Sequence, residues 1–188
     1  MKALALVEMA AAVESSDNGA RTIAAFESLM RQHERLVLVT ALRLLGKLED
    51  AQDASQEVFL RLYRNLGKIG AVENVTGWLY RVTVNVCHDM TRKRPAQVGV
   101  DEIPELVDTG ADPQQSATRA ERQRALQMSL RFLSEKERAA MVLRDLEGLS
   151  TGEVARALGS SEATVRSQIS KARIKVRAFM ERYFRSHL

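Results

Sequence analysis

All three prolines of this 188-residue chain, Pro95, Pro104 and Pro113, fall within one short stretch, and their placement constrains the fold more than any other feature. Proline interrupts helices because it lacks an amide donor and its ring clashes with the preceding turn. On either side lie long proline-free stretches rich in Ala, Leu, Arg, Glu and Gln, residues that favour helices. Aromatic residues make up only 5% of the sequence, fewer than a β-rich fold would use. We therefore predict an all-α protein.

The stretch before the prolines shows the apolar spacing of amphipathic helices. One apolar stripe runs from Phe26 to Leu45 and breaks at Gly46. A second helix is predicted from about Asp50, with Ala54, Val58 and Leu62 on its buried face. A third is predicted to start after the stretch NVTG at 74–77, where Thr76 can cap it, and to run to Pro95. The letters VTVNV in this third segment also alternate like a strand, but the helical spacing of its apolar residues favours a helix.

Residues 95–118 lack periodicity and carry five acidic residues between positions 96 and 118 without any Lys or Arg. This composition is typical of a flexible linker. We therefore predict two small helical domains, 21–95 and 119–184, joined by an acidic linker at 96–118 and flanked by tails at 1–20 and 185–188. In the second domain, Ser134 and Glu137 form the pattern of a capping box, followed by a helix to Leu146 and a stop at Gly148.

Two short helices joined at Gly159 carry the features of a helix-turn-helix, a motif in which glycine can take the left-handed turn conformation. Ser150 or Thr151 can cap the first helix, and the second is predicted from Glu162 to Arg177. The inner face of the pair is predicted at the small or apolar residues Ala155, Val165, Ile169, Ala172 and Val176.

The opposite face of the second helix, here called the outer face, consists of Thr164, Arg166, Ser167, Gln168, Lys171 and Arg173. Residues 159–188 hold seven Lys or Arg against two Glu, a local charge of +5. Hydroxyl and Arg side chains near the start of such a helix reach base edges, and later basic residues reach phosphates. The outer face therefore favours DNA binding over the alternative of a solvated amphipathic helix, which usually balances its charges.

Two longer motifs identify a family. The stretch from Asp53 to Tyr63 reads D-x-x-Q-E-V-F-L-R-L-Y, and it is followed from Trp78 by W-L-Y-R-V-x-x-N-x-x-x-D and a basic triplet. These resemble region 2 of bacterial RNA polymerase sigma factors, and residues 133–173 resemble region 4. The two follow each other with only a short linker, which is the layout of the extracytoplasmic-function (ECF) type. The resemblance implies a sigma region 2 helical bundle and a sigma region 4 helix-turn-helix.

The resemblance also implies site residues. Contact with the β′ clamp helices of core polymerase is implied for Asp53, Gln56, Glu57, Phe59 and Leu60. Opening and reading of the −10 element is implied for Trp78, Tyr80, Arg81, Asn85, Asp89, Arg92, Lys93 and Arg94, with the loop from Lys68 to Gly77 as the pocket for a flipped base. The outer face would bind the −35 element. The alternative for the implied polymerase surface is that Phe59 and Leu60 are core residues and the acids a solvated first turn. For Trp78, a core position explains the sequence as well as a stacking role does.

The implied function is a transcription initiation factor that directs core RNA polymerase to promoters, with the β flap and an anti-sigma factor as further partners. The acidic linker resembles the family segment that threads the polymerase cleft, although a plain tether would have the same composition. One residue departs from the family pattern: Gln168 stands where T-V-[KR]-S-R has Arg. Because Gln pairs with adenine whereas Arg pairs with guanine, no promoter sequence is inferred.

Other function classes explain less of the sequence. A helix-turn-helix repressor or activator would leave the motifs of the first domain without a role. An enzyme using Cys87 and His88 is disfavoured because adjacent helical residues point about 100° apart. With one Cys and three scattered His, neither a disulfide nor a metal or cofactor site is expected. Glu8 interrupts the apolar N-terminus, and no span of ~18–20 apolar residues occurs, so we expect a cytoplasmic protein without membrane insertion.

Overall fold

The computed structural model describes residues 17–69, 74–93 and 113–186, and all regular structure in these ranges is helical. The all-α prediction is confirmed. The first half of the molecule is residues 17–93 and the second half is residues 113–186. The elements in chain order are α1 (Asp17–Leu45), α2 (Leu48–Arg64), α3 (Leu66–Ile69), α4 (Val75–Lys93), α5 (Pro113–Leu130), α6 (Glu135–Met141), a π-helical turn (Val142–Leu146), α7 (Thr151–Leu158) and α8 (Glu162–Arg185).

The first half is a bundle of α1, α2 and α4. Gly46, with φ of +78°, separates α1 from α2 at the predicted break. Ala54, Val58 and Leu62 form the buried stripe of α2, each with no exposed surface. Burial of such side chains is the main force that holds short helices together in water.

The segment that also fitted a strand is helical, because Leu79, Thr83 and Val86 form one buried stripe at helical spacing. The buried hydroxyl of Thr83 donates to the Leu79 carbonyl at 2.8 Å, which satisfies it within the helix. The predicted cap, Thr76, is wrong. The helix begins at Val75, and Asn74 Oδ1 accepts from the Gly77 amide at 2.7 Å. Asn is a strong N-cap residue, so it takes this position from Thr76.

Helix α5 begins at Pro113, inside the segment predicted as linker. Proline is favoured in the first turn of a helix, where its missing amide leaves no bond unmade. This helix therefore begins six residues before residue 119, whereas the bounds of the second domain stay a prediction. The acidic residues at 101–112 and both chain ends, 1–16 and 187–188, lie outside the described residues.

The second half is built on two capping boxes. Ser134 and Glu137 cap α6 as predicted, and Ser150 and Glu153 cap α7 in the same way. The helix predicted to continue to Leu146 instead changes to a π-helical turn at Val142, and it stops near Gly148, whose φ is +78°. The turn is closed by the Glu147 amide, which donates to the Val142 carbonyl at 2.9 Å.

The two halves pack against each other and share a hydrophobic core. Its largest cluster joins Phe26, Leu62 and Leu79 of the first half to Leu130, Val142 and Ala172 of the second. Helix α4 also contacts α7. Arg138 of α6 bridges the halves, donating to the carbonyls of Leu44 at 2.7 Å and Leu130 at 2.9 Å, close to the ends of α1 and α5. Within the described ranges, no helix is long and apolar enough to cross a bilayer.

Candidate nucleic-acid interface

The helix-turn-helix consists of α7 and the first turns of α8. Gly159 ends α7 with φ of +58°, a left-handed conformation that glycine adopts without strain. Ser161 then caps α8 by accepting from the Thr164 amide at 3.2 Å. The inner face lies where the sequence predicted it, with Val165, Ile169, Ala172 and Val176 all buried. The junction of the two helices is thus fixed by the turn at Gly159, the cap at Ser161 and the buried apolar residues of the inner face.

The outer face of α8 is open to solvent. Thr164, Arg166, Ser167, Lys171 and Arg173 are exposed there. Gln168 differs from its neighbours because it is half-buried, and its Oε1 atom is buried without a hydrogen-bond partner among the described residues. The residue that departs from the family pattern is therefore also turned partly toward the protein.

Several basic side chains of α8 are paired with carboxylates. Arg173 makes a bidentate contact with Asp145, at 2.8 Å from Nε and 2.6 Å from Nη2. Arg166 lies 3.1 Å from Glu162, and both side chains are more than half exposed. Lys171 is exposed and, among the described residues, has no carboxylate within ion-pair distance. The outer face thus contains both unpaired and internally neutralised positive charge.

The candidate −10 residues lie along α4 with different exposure. Arg81, Asn85, Arg92 and Lys93 are exposed, whereas Trp78 and Asp89 are half-buried. Arg94 and part of the loop between Lys68 and Gly77 lie outside the described residues. The exposed members form a polar and basic edge that suits a nucleic-acid backbone.

Tyr80 is the exception on α4, because its side chain is only 6% exposed. Its hydroxyl donates to Glu147 Oε2 at 3.1 Å. Burial, and next the neighbouring Glu147 carboxylate, raise the pKa of Tyr80 well above its usual value. The phenol therefore remains a neutral donor, and in this arrangement it faces the second half rather than solvent.

The candidate polymerase contacts lie on α2. Asp53 is exposed and Gln56, Glu57 and Leu60 are half-buried, so each of the four has a solvent-accessible part that a partner could contact. Phe59 is 4% exposed and packs in the shared core. Glu57 Oε1 accepts from Arg61 Nε at 2.8 Å, one turn along the helix. This face of α2 is an acidic strip around a small apolar patch.

The adjacent residues Cys87 and His88 do not form a reactive pair. Cys87 is buried, and burial raises the pKa of its thiol to about 12. His88 Nε2 instead lies 2.9 Å from Glu135 of α6, across the boundary between the halves. In the part of the chain that the structure describes, no group of three His, Cys, Asp or Glu side chains is placed to hold a metal ion.

Sequence reasoning missed Glu147 and Arg138, two charged residues that form hydrogen bonds across the halves. Glu147 accepts from Arg43 Nη1 at 2.7 Å and from Thr40 Oγ1 at 3.0 Å, as well as from Tyr80. Both residues occur in stretches of ordinary charged sequence, and their partners in the first half lie far away in sequence. The only local signal was Gly148, which marks the turn that follows Glu147.

Two family models match the chain: Sigma-70 region 2 over residues 29–96 and Sigma-70, region 4 over residues 123–176. Among curated proteins, the ECF RNA polymerase sigma factor SigE of Mycolicibacterium smegmatis is 35% identical over 84% of this chain, which spans 62% of that relative's length. SigM of Mycobacterium tuberculosis is 32% identical, covering 81% of this chain and 75% of SigM. The sigma-E factor of Streptomyces coelicolor is 34% identical, covering 81% and 84%.

Solved structures agree in fold. The sigma factor RpoE of Bartonella quintana, determined in complex with the anti-sigma factor NepR, has a TM-score of 0.68 at 20% identity, covering 84% of this chain and 97% of RpoE. CnrH, determined in complex with the cytosolic domain of CnrY, has a TM-score of 0.61 at 25% identity, covering 94% of this chain and 95% of CnrH.

Proposed function

Because this chain belongs to the ECF family of RNA polymerase sigma factors, we propose that it is a promoter-specificity factor for transcription initiation. It binds core RNA polymerase, directs the enzyme to promoters and helps to melt them. Its action is one of binding, without bond chemistry of its own, and it takes place in the cytoplasm. The observation that carries this proposal is the exposed, basic outer face of a helix-turn-helix in the same chain as the region 2 surface.

The outer face is proposed to bind the −35 element in the major groove. An α-helix fits that groove, and side chains in its first turns reach base edges. Arg166 and Ser167 are exposed at these positions, and Lys171 lies one turn later, where phosphates come within reach. This placement supports base reading by Arg166 and backbone contact by Lys171.

The −10 element is proposed to bind along α4. A melted strand needs a basic track for its backbone and side chains that stack on or pair with its bases. Arg92 and Lys93 supply exposed positive charge, and Arg81 and Asn85 supply exposed donors on the same helix. Trp78 keeps part of its ring accessible at the start of this track.

Core polymerase is proposed to bind α2 through Asp53, Gln56, Glu57 and Leu60, an acidic and partly apolar strip that suits a basic coiled coil such as the β′ clamp helices. The exposed Phe132, whose ring meets that of Phe179 in a tilted arrangement at 5.1 Å, supports a second protein contact on the other half, and the β flap is the proposed partner. An anti-sigma factor is a further proposed partner, by analogy with Bartonella RpoE.

Run-off transcription tests the proposal. Purified core polymerase is incubated with a pool of promoter fragments, either alone, with this protein, or with an Arg166→Ala, Lys171→Ala double variant. We expect new transcription start sites only with the unaltered protein. The promoters that give them should share two sequence elements at a fixed spacing upstream of the start site. Absence of initiation together with a retained footprint on duplex DNA would instead support a conventional helix-turn-helix regulator.

A further inference from the structure

Tyr80 projects from α4 into the second half of the molecule. The other buried members of its apolar cluster, including Leu143, Val154 and Val165, all belong to the second half. Beside it, a crevice of about 550 Å³ is walled by Trp78 and Arg81 on one side and by Glu153 and Arg156 of α7 on the other. In this arrangement α7 therefore covers part of the α4 surface proposed to meet the −10 element.

The carboxylate of Glu147 holds Tyr80 in this position. It gathers three side-chain donors, all from the first half: Thr40 at 3.0 Å, Arg43 at 2.7 Å and Tyr80 at 3.1 Å. Glu147 is 11% exposed and Arg43 is 24% exposed, so the pair is largely screened from water. A partly buried charge of this kind depends on its partners, because without them it loses hydration and gains nothing in return.

Several other polar contacts between the halves lie away from Tyr80. Arg138 reaches the Leu44 carbonyl, and Arg131 Nη2 reaches the Gly46 carbonyl at 3.3 Å, both at the end of α1. His88 and Glu135 meet in the C-terminal third of α4. These contacts support the closed arrangement at other places. Glu147 differs from them because it bonds directly to Tyr80, a residue of the proposed −10 surface.

The outer face of α8 is not covered by this closure. Thr164, Arg166, Ser167 and Lys171 remain exposed while Tyr80 is buried. The two proposed DNA surfaces therefore differ in accessibility within one arrangement of the molecule: the −35 surface is open and the −10 surface is partly masked.

We propose that Glu147 is a latch that closes the two halves and masks the −10 surface around Tyr80 while leaving the −35 surface accessible. This inference rests on the proposed function, and it adds a regulatory step: the halves must separate before Tyr80 can meet a melted strand. A ligand that binds the separated form more tightly than the closed form shifts the equilibrium between them toward the separated form. The size of the shift is set by the difference in its affinity for the two forms.

The variant that tests the latch is Glu147→Gln, which keeps the size of the side chain and removes its charge. Thr40→Val is a milder second variant, since it removes one hydroxyl donor and nearly keeps the shape. Glu34→Gln makes the same charge change at an exposed position of α1 and serves as the matched control. Circular dichroism and thermal melting establish that each variant is folded.

The first measurement is the distance between spin labels on the two halves of the full chain. Ser28→Cys in α1 and Ala178→Cys in α8 provide exposed labelling sites. Cys87 is buried and its thiol has a raised pKa, so it reacts slowly with the label. We expect one narrow distance distribution for the unaltered protein and for Glu34→Gln. We expect an added, broader population for Glu147→Gln, and a smaller one for Thr40→Val.

The second measurement is binding of two DNA probes without polymerase. Both probes come from a promoter found by run-off transcription: a duplex with the −35 element and a single strand with the −10 element. We expect Glu147→Gln to bind the single strand about tenfold more tightly than the unaltered protein, with little change for the duplex. General loosening of the structure would weaken binding to both probes.

Three results would overturn the latch: a broad distance distribution in the unaltered protein, identical distributions with and without Glu147→Gln, or an equal gain on both probes. The distance measurement needs no promoter, so it stands even if transcription fails. Conversely, run-off transcription that succeeds with an already open protein would sustain the proposed function and refute the latch.

Discussion

At the scale of single residues, the basic side chains of α8 differ in how much of their charge they can offer to DNA. Lys171 is exposed and has no carboxylate within ion-pair distance among the described residues, whereas Arg173 is clamped by Asp145 through two short hydrogen bonds. This ion pair raises the pKa of Arg173 above its usual value and fixes the orientation of its guanidinium group. Counting Lys and Arg in the sequence therefore overstates the charge available to a phosphate backbone.

We predict that Arg166→Ala and Lys171→Ala both weaken −35 binding but do so differently. Loss of a base-reading Arg costs about 1–3 kcal/mol and relaxes preference at one base pair, whereas loss of a phosphate contact weakens all sequences alike. Fluorescence anisotropy on a panel of single-base variants of the −35 duplex measures both effects. Equal, sequence-independent losses for the two variants would contradict the assignment of Arg166.

We predict that Asp145→Asn strengthens duplex binding a few-fold at low salt, because it releases the guanidinium of Arg173 toward the DNA. The slope of log affinity against log salt should steepen by about one phosphate contact. Arg173→Ala in the unaltered background should cost less affinity than Lys171→Ala. If Arg173→Ala costs more, Arg173 already binds DNA in spite of its pairing with Asp145.

At the scale of elements, the sequence predicted the ends of helices well where a glycine or a capping box marks them. The breaks at Gly46, Gly148 and Gly159 and the capping box at Ser134 all lie where they were predicted. Two local features were missed, each for its own reason. Asn74 outcompetes Thr76 as a cap, and the switch to a π-helical turn at Val142 leaves no trace in apolar spacing over so few residues.

Glu137 makes the stability of the second half sensitive to acid. Its pKa is lowered, first by Lys175, whose Nζ lies 2.7 Å from Oε2, and then by the Ser134 amide. A carboxyl with a lowered pKa in the folded state adds stability above its unfolded pKa and loses it as the pH falls through the folded value. The contribution is therefore complete at neutral pH, begins to fall as the pH drops below about 4.5, and is lost as the pH passes through the lower folded pKa.

We predict that Glu137→Gln flattens the acid limb of the unfolding profile. Gln at this position retains the capping-box geometry, so the change removes chiefly the charge. Urea unfolding between pH 7 and pH 3 should show a smaller loss of stability than in the unaltered protein. Glu181→Gln, which disrupts only an exposed pair with Arg177, is the matched control and should leave the profile unchanged. Parallel profiles for Glu137→Gln and the unaltered protein would refute the prediction.

At the scale of the whole molecule, the halves are joined by contacts that no local pattern could reveal. Tyr80 and Glu147 are 67 positions apart, and Arg138 and Leu44 are 94 positions apart. The family motifs imply a DNA contact for Tyr80, whereas its burial in this structure depends on Glu147 and apolar neighbours in the second half. Sequence analysis therefore predicted the helical fold of each half, but not how one half covers the other. The residues assigned to the DNA surfaces stay a prediction.

We predict that the halves unfold in a single cooperative transition, because they share one core. Arg138→Met, a change in the second half, should lower the melting temperature by at least ~5 °C, since it leaves buried carbonyls at helix ends unpaired. The fluorescence of Trp78, the single tryptophan and a probe of the first half, should report that shift in full. Arg124→Met, at an exposed site of α5, is the control. Two separate calorimetric transitions would contradict the prediction.

The insertion of Tyr80 into the second half also has a consequence for solubility. When α4 moves away, it leaves a socket lined by Leu143, Val154 and neighbouring apolar side chains, with Leu36 and Val84 withdrawn as well. Such a socket is open to water unless another surface fills it. The separated form should therefore be the one that self-associates as concentration rises. In a cell, the separated form would stay monomeric only while a binding partner covers the socket and so prevents contact with a second copy of the protein.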